Sequence, residues 1–439
     1  GALGVGDALA DGLCDPSVLN VLDGGFNGIP QCVIQGAQNQ ALGNEGAVAA
    51  TDPNLKQSKV NRLSLGIQHY TQDTGIDFFD NWTVQFDFIY ANNVNAYDFV
   101  DLSLTRSGET APDGRPIYVQ VDPRLAGCNA TFAGVREGFT GVTDECISSA
   151  PPSSGNQNIL ITNAVNGGGS SKSFAAQFSK RFELSETGTL DVRAGYAFSD
   201  NKVGNPGTSF TAGSNFEEVV TDDFNNGNLG QATFNNRHNI TLGLTYRNEF
   251  WDGLATTVSA FYRVRSGTAL SYVFDANTSN GAFGDSDREA RSQLYVPTGP
   301  SDPLADTSGI DQDAFFAFLA SSGLDEYAGE IAPRGGFSDP WASDLDLRFS
   351  QELPGFFGSD GFEVFVDFEN FLNFVDSSAG KKDYVRPGDV NGALPVVSAS
   401  IVDGQYVYSN FNGADSVVQI AQDLNDTLWR VQVGVKYKF

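Results

Sequence analysis

Nine segments of this chain alternate apolar and polar residues with a period of two. The clearest is residues 427–439, where one parity is apolar and the other is polar or glycine. Because successive side chains of a strand point to opposite faces, each segment is expected to form a strand with one apolar face. The other eight cover residues 62–70, 82–90, 174–181, 190–196, 240–247, 254–265, 344–349 and 362–369. The series predicts an all-β, antiparallel fold.

The links between these segments alternate in length. Short links lie at residues 72–81, 183–188, 249–253 and 352–361, and long links at 107–169, 199–234, 268–340 and 375–426. This arrangement is typical of bacterial transmembrane β-barrels, whose short turns face the periplasm and whose long loops face the exterior. We therefore predict that residues 57–439 form part of such a barrel and residues 1–56 an extracellular loop. For residues 427–439, the alternative is the exposed last strand of a soluble β domain.

Composition limits the other classes. The chain carries 26 Lys and Arg against 54 Asp and Glu, a formal charge of −28, which argues against a nucleic-acid partner and against direct attraction to anionic lipid heads. A run of about 18 apolar residues, as a membrane helix requires, is absent from the sequence. The chain has no Met, and no signal peptide precedes Gly1, so we expect a processed chain or a fragment.

The predicted strand number is odd, although bacterial single-chain barrels have an even number. An open sheet edge cannot face lipid, because its backbone polar groups would lack hydrogen-bond partners. We therefore expect the strand near Arg62 and the strand near Tyr437 to pair with strands from a missing N-terminal part.

The four cysteines form two local groups. Cys14 lies near Cys32, and Cys128 near Cys146, each group within its own polar segment. Four cysteines allow three connectivities, and we favour the two near-neighbour pairs over free thiols. Disulfides of this kind imply the periplasm or the cell exterior.

Two local features are predicted inside the long links. Asp311 is suited to cap a short helix carrying Phe315, Phe316 and Leu319. Asp403-Gly404 separates two β-rich runs and predicts a hairpin turn in the last long link.

The later half of the chain carries a family resemblance. RSGTAL at 265–270, LYVP at 294–297, IAPRGGFSDPWASDLDLRFSQELPG at 331–355 and FEVFVDFENFLNFVD at 362–376 come in that order before the terminal strand. Together they resemble the C-terminal barrel of TonB-dependent outer-membrane receptors, and within them the Oar-like group. The resemblance covers residues 57–439 in architecture, with its specific motifs in 235–439. Tyr437 and Phe439 then resemble the signal that the barrel-assembly machinery reads.

The resemblance implies TonB-dependent transport of a substrate, by analogy a peptide or protein, across the bacterial outer membrane. It implies a barrel of about 22 strands with an N-terminal plug. The expected partners are an N-terminal receptor part with the plug and remaining strands, the TonB system acting through that part, lipopolysaccharide and outer-membrane lipid. We also expect this chain to be one part of a split or nicked receptor. The alternative is a structural or adhesive surface barrel without energised transport.

The charged residues of the predicted strands point to a lumen rather than to an enzyme site. Their parity predicts that they face the barrel interior, where contact with a plug or water is favoured over acid–base catalysis. These residues are Arg263, Arg265, Asp344, Asp346, Arg348, Glu363, Asp367 and Glu369. The two histidines, His69 and His238, lie within or beside strands, away from any nucleophile motif, and no enzyme activity is expected.

The 268–340 link offers two further candidates. Asp275, Asn277, Asp285 and Asp287 alternate oxygen ligands in a Gly-rich stretch, as calcium sites do, although a solvated acidic loop is favoured. Its aromatic residues are candidate substrate contacts, and a packed loop core explains them equally well. These residues are Phe283, Phe315, Phe316 and Tyr327.

Overall fold

Nine long strands join in chain order into one antiparallel sheet. The computed structural model describes residues 48–147, 157–251, 253–275, 282–284, 290–358, 360–385 and 392–439. The nine strands are β1 (Lys59–Tyr70), β2 (Thr83–Val94), β3 (Gly169–Glu183), β4 (Thr189–Val203), β5 (His238–Trp251), β6 (Leu254–Arg265), β7 (Ala342–Pro354), β8 (Gly361–Glu369) and β9 (Arg430–Lys438). All nine predicted segments form strands, and the all-β prediction is confirmed.

Several strands extend beyond the alternating segments that predicted them. β3 and β4 pair without a break from Gly169 opposite Val203 to Glu183 opposite Thr189. The backbone ladder therefore continues past the last apolar residue, because its hydrogen bonds do not depend on which side chains follow. The strands contain 9 to 15 residues. A tilted strand of about 9–11 residues crosses the hydrocarbon layer of a membrane.

The sheet has one apolar and one polar face, as the register shows. Phe174 lies between Phe88 on one neighbour and Phe198 on the other, and Leu347 lies opposite Phe368. The apolar face is exposed: Ile67 on β1 is 65% accessible and Val433 on β9 is 67% accessible. In this respect the sheet is the reverse of a sheet in a globular protein, which packs its apolar face on a core.

The long links fold together at one end of the sheet, and we call their described part the loop layer. It holds a five-stranded sheet made of Ala305–Asp306, Gln405–Ser409, Ala393–Val402, Ala269–Phe274 and Phe337–Ser338. A three-stranded sheet joins Val48–Thr51, Asn158–Asn163 and Tyr97–Asp101. Smaller pairs are Leu104–Thr110 with Pro116–Gln120, Thr131–Gly134 with Gly138–Thr140, and Asp383–Val385 with Ile420–Gln422. Gly230–Gln231 pairs with the end of β4.

Helices are short and also belong to the links. Among the described residues, the α-helices are Ala212–Glu217, Gln312–Ser322, Phe371–Val375, Ala414–Val417 and Leu424–Thr427, and the 3₁₀ helices are Asp144–Cys146 and Leu324–Tyr327. Within the described residues, no helix combines the length and the apolar character needed to cross a membrane.

The main hydrophobic core lies in the loop layer. Every residue of the largest buried cluster belongs to a link, among them Tyr118, Tyr406, Tyr408 and Phe315. The long links therefore stabilise one another by apolar burial, which contributes about 1.5–3 kcal/mol for each large side chain.

Both local predictions inside the links are confirmed. Asp311 accepts a hydrogen bond from the backbone N–H of Ala314 at 3.1 Å and caps the helix Gln312–Ser322. Asp403 and Gly404 have φ angles of 50° and 78° and connect two antiparallel strands. Two successive residues with positive φ match the tight hairpin turn that fits the twist of paired strands.

Cys128 and Cys146 are joined by a disulfide in the loop layer, the pairing favoured for this segment. The bond closes a link that contains one hairpin and a 3₁₀ turn. Cys14 and Cys32 lie outside the described residues, as does most of the predicted 1–56 loop.

Candidate functional site

A large cavity lies on the polar face of the nine-stranded sheet. Its volume is ≈ 1080 Å³, and residues of the six consecutive strands β3 to β8 line it. Because six neighbouring strands bound one cavity, the sheet curves around its polar face. Residues with small side chains, among them Gly195, Thr241 and Gly243, contribute to its lining. Closure of the sheet into a barrel is a further step and belongs to the proposal below.

The predicted lumen residues lie together on this polar face. Arg263 Nη2 is 3.0 Å from Asp344 Oδ1 across the β6–β7 pair. Arg348 bridges two carboxylates on β8, Asp367 at 3.2 Å and Glu363 at 3.5 Å. These contacts follow from the register, which sets Arg263 opposite Asp344 and Arg348 opposite Asp367.

These ion pairs form a row across β6, β7 and β8, and the remaining three predicted lumen residues extend this row in two directions. Glu369 is 3.6 Å from Arg430 on β9, and Asp346 accepts a hydrogen bond from the backbone N–H of Asn370 at 2.9 Å. Arg265 lines a second cavity of ≈ 320 Å³ between the sheet and the loop layer. Lys382, from a long link, lines the same cavity and is 3.9 Å from Asp344.

The carboxylates of this row are held in ion pairs across neighbouring strands. Each carboxylate of the row that faces Arg263 or Arg348 is paired with that guanidinium, as in a structural ion-pair network. Two polar atoms of the cavity wall, Asn239 Oδ1 and Asp367 Oδ1, are buried without a hydrogen-bond partner.

An aromatic ring also contributes to the polar face. Phe365 lies against Gly434, where an added Cβ would stand 2.3 Å from the ring. The ring in turn supports Arg348, whose guanidinium carbon is 4.3 Å from its centroid. Glycine at position 434 therefore makes room for Phe365, and Phe365 orients the arginine that holds two carboxylates.

Sequence reasoning did not single out the β3 and β4 side of the cavity. Gln177, Asp191 and Arg193 line it, and Asp191 accepts from Arg181 at 2.9 Å. The sequence contains the signal for these residues, because they alternate with the apolar residues of β3 and β4 in the same way as the predicted lumen residues do on β6 to β8. The chosen set was confined to the charged residues of β6 to β8.

Ion pairs also gather at the short-turn rim. Lys438 on β9 is 3.0 Å from Glu352 on β7 and 3.3 Å from Glu363 on β8. Tyr437 donates to Asp360 at 2.8 Å, and its ring packs on Phe362 at 4.9 Å. Phe439 is fully exposed at this rim. The two residues of the predicted assembly signal thus lie at the end of the sheet opposite the loop layer.

The predicted substrate contacts lie in or against the hydrophobic core of the loop layer. Phe283 and Phe315 are 5% and 0% exposed, and Phe315 packs edge-on against Phe411 at 5.2 Å. Phe316 and Tyr327 pack against the same core and are partly buried. A packed loop core, the alternative explanation for these residues, is thus present, and their contact with a substrate stays a prediction. They were chosen for aromatic character alone, which does not distinguish a binding surface from a loop core.

The calcium hypothesis falls mainly on a part of the chain that is not described. Asn277, Asp285 and Asp287 lie outside the described residues, and Asp275 ends a strand whose backbone pairs with Val397. Across the described ranges, no group of three or more His, Cys, Asp or Glu is placed to hold a metal ion.

The histidines are at the edges of the apolar face. His238 stacks on Trp341 with ring centroids 5.7 Å apart, and its Nδ1 lies 2.9 Å from the Tyr196 hydroxyl. His69 is exposed near the short-turn end of β1.

Comparisons with known proteins found no family model and no curated sequence that matches this chain.

Proposed function

We propose that this chain forms wall strands and extracellular loops of an outer-membrane barrel that carries a substrate through TonB-dependent transport. The observation that supports this most is the apolar face of the nine-stranded sheet. A surface of that size and polarity is unfavourable in water, because monomeric soluble proteins rarely expose large continuous apolar patches. In a bilayer the same surface is covered by hydrocarbon.

Aromatic residues at both ends of the apolar face support a membrane position. Phe182, Trp251 and Tyr437 lie at the short-turn end, and Trp341 and Trp429 at the loop-layer end. Aromatic girdles at these two levels are expected of a transmembrane barrel, since Trp and Tyr favour the interface between hydrocarbon and water. In this orientation the loop layer is extracellular and Phe439 is periplasmic.

The two edges of the sheet support a partner that supplies more strands. Within the described residues, β1 pairs with β2 alone and β9 with β8 alone. An unpaired strand edge in hydrocarbon is costly, since each backbone N–H or C=O without a hydrogen-bond partner costs several kcal/mol. The proposed partner is the N-terminal receptor part, whose plug would occupy the polar cavity and meet the ion-pair row of Arg263 and Arg348.

A structural or adhesive surface barrel is the second candidate. The loop layer supports it, because this layer has its own buried core and a disulfide, as a rigid binding platform would. An open substrate vestibule needs less internal packing than these links have. Both candidate functions place the nine-stranded sheet in the membrane. They differ in whether the barrel carries out energised transport.

One experiment tests both the membrane position and the energy coupling. The native protein is isolated from outer membranes, and resistance to alkaline extraction is measured together with a heat-dependent gel shift. Site-specific cross-linking from the periplasmic side then asks whether the complex contacts an energy-transducing protein of the TonB class, with and without a protonophore. Extraction as a soluble protein contradicts the barrel. A barrel that never forms this cross-link supports the adhesive alternative.

A further inference from the structure

Basic residues are distributed unevenly over the nine-stranded sheet. Acidic residues outnumber basic ones by 54 to 26 in the whole chain. The register reverses this ratio on the apolar face, where Asp200 is the one carboxylate within the regularly paired parts of the nine strands. The same face carries Lys59, Lys172, Lys180 and Lys202. The apolar face thus carries several lysines and few carboxylates.

Most of these cations gather at the loop-layer end. Lys172 on β3 lies directly opposite Asp200 on β4, and Lys202 is the next residue on the same face of β4. Arg237, just before β5, has its Nη2 3.7 Å from Asp200 Oδ1 and its guanidinium 5.8 Å from the Phe198 ring. Three positive charges therefore surround one negative charge. We call these four residues the basic patch.

The basic patch adjoins the apolar band. Phe174 follows Lys172 on the same face of β3, and Phe198 precedes Asp200 on β4. Phe174 also stacks on Phe86 with ring centroids 6.2 Å apart. A ligand that meets both surfaces has an anionic head beside an apolar tail. Arg binds phosphate oxygens by paired hydrogen bonds, and Lys binds them as a point charge.

The fourth lysine shows that the two ends of the face differ. Lys180, at the short-turn end of β3, donates to the backbone carbonyls of Asp77 and Phe78 at 2.8 and 2.9 Å. It is also 4.6 Å from the Phe182 ring and only 8% exposed. Its charge is therefore taken up within the protein, whereas Lys172, Lys202 and Arg237 are exposed.

We propose that the basic patch binds the phosphate of a phosphorylated lipid headgroup in the leaflet that faces the loop layer. This inference rests on the proposed membrane position. It differs from the expectation drawn from the net charge of −28, because a lipid headgroup meets the local field and not the total charge. Lipid acyl chains would lie along Phe174 and Phe198.

The test uses the intact native complex reconstituted in bilayer nanodiscs that contain a phosphorylated glycolipid or its dephosphorylated form. Lipid retained after delipidation is measured by mass spectrometry. The triple variant K172Q/K202Q/R237Q should retain the phosphorylated lipid about a hundredfold less than wild type, since each of the three basic residues near a headgroup contributes roughly a factor of five. Asp200→Asn should retain more than wild type, and Arg181→Gln, on the polar face of β3, should match wild type.

The outcomes separate the two proposals. Failure of the wild-type complex to enter nanodiscs overturns the membrane position and this inference together. Insertion with equal retention by wild type and the triple variant overturns the lipid site alone. Equal retention of both glycolipid forms does the same, and displacement of the lipid by millimolar inorganic phosphate indicates a site for the free ion instead. A heat-dependent gel shift for every variant excludes misfolding as the cause.

Discussion

Val366 on β8 lies directly opposite Val433 on β9, and both side chains are on the apolar face. Their neighbours Asp367 and Gln432 also lie opposite each other, on the polar face. The last strand pair therefore provides matched positions one residue apart for testing which face meets lipid.

Val433→Arg is expected to destabilise the barrel by about 2–4 kcal/mol, because it places a cation in the hydrocarbon layer. Gln432→Arg, the control on the same strand, is expected to be tolerated since the polar face is hydrated. The measurement is the fraction of heat-modifiable protein in isolated outer membranes. Equal loss, or equal tolerance, at the two positions would contradict the proposed orientation.

The Cys128–Cys146 disulfide is expected to stabilise the loop layer by about 3 kcal/mol, because it closes a link of 18 residues. The double variant C128S/C146S should leave the heat-dependent gel shift intact but make the loop layer sensitive to protease. Non-reducing peptide mapping checks the pairing and should also find Cys14 joined to Cys32. A peptide linking either of those to Cys128 or Cys146 would show that the two loops are cross-linked.

Arg115 and Asp113 form a buried ion pair in the loop layer at 2.7 Å. Arg115→Met leaves the carboxylate buried without its partner and should destabilise the layer by about 3–5 kcal/mol. The exposed Arg124–Asp122 pair provides the control, and Arg124→Met should cost less than about 1 kcal/mol. Hydrogen exchange of the loop-layer amides measures both. Similar exchange in the two variants would argue against a rigid packed layer.

Burial raises the pKa of Asp222, helped by the neighbouring carboxylate of Asp223. The folded state then binds the proton more tightly than the unfolded state, so stability falls as the pH rises from the unfolded pKa of 3.8 through the folded value. Asp222→Asn removes this dependence. At pH 8 the loop layer of the variant should be better protected from exchange than that of wild type, and at pH 4 the difference should be smaller. Hydrogen exchange across residues 221–230 at both pH values tests it. A variant less protected than wild type at pH 8 would show that the charge is needed.

The edge strands predict the composition of the native complex. A further receptor part, on the same or another polypeptide, is expected to pair with β1 and β9. By analogy it would supply about 13 strands, the difference between about 22 and nine. Finding the 439-residue chain alone as a closed, stable barrel would refute this.

Periodicity along the chain was sufficient to predict the nine strands and their two faces. A period of two is a property of the extended backbone itself, so Val433 and Gln432 are assigned to opposite faces without knowledge of the fold. Asp311 and Asp403-Gly404 were predictable for a similar reason, since a helix cap and a tight turn depend on neighbouring residues. The link lengths likewise indicated which end of the sheet carries the large loops.

Only the tertiary structure decided which distant residues meet. The Arg348 contacts to Asp367 and Glu363 depend on the register of β7 and β8, which parity alone does not fix. The burial of Phe315 depends on links far apart in sequence, because Tyr408 and Phe411 cover it. The gathering of Lys172, Lys202 and Arg237 around Asp200 likewise requires three segments to be adjacent. Local backbone periodicity thus determined the strands, and long-range packing determined the core and the sites.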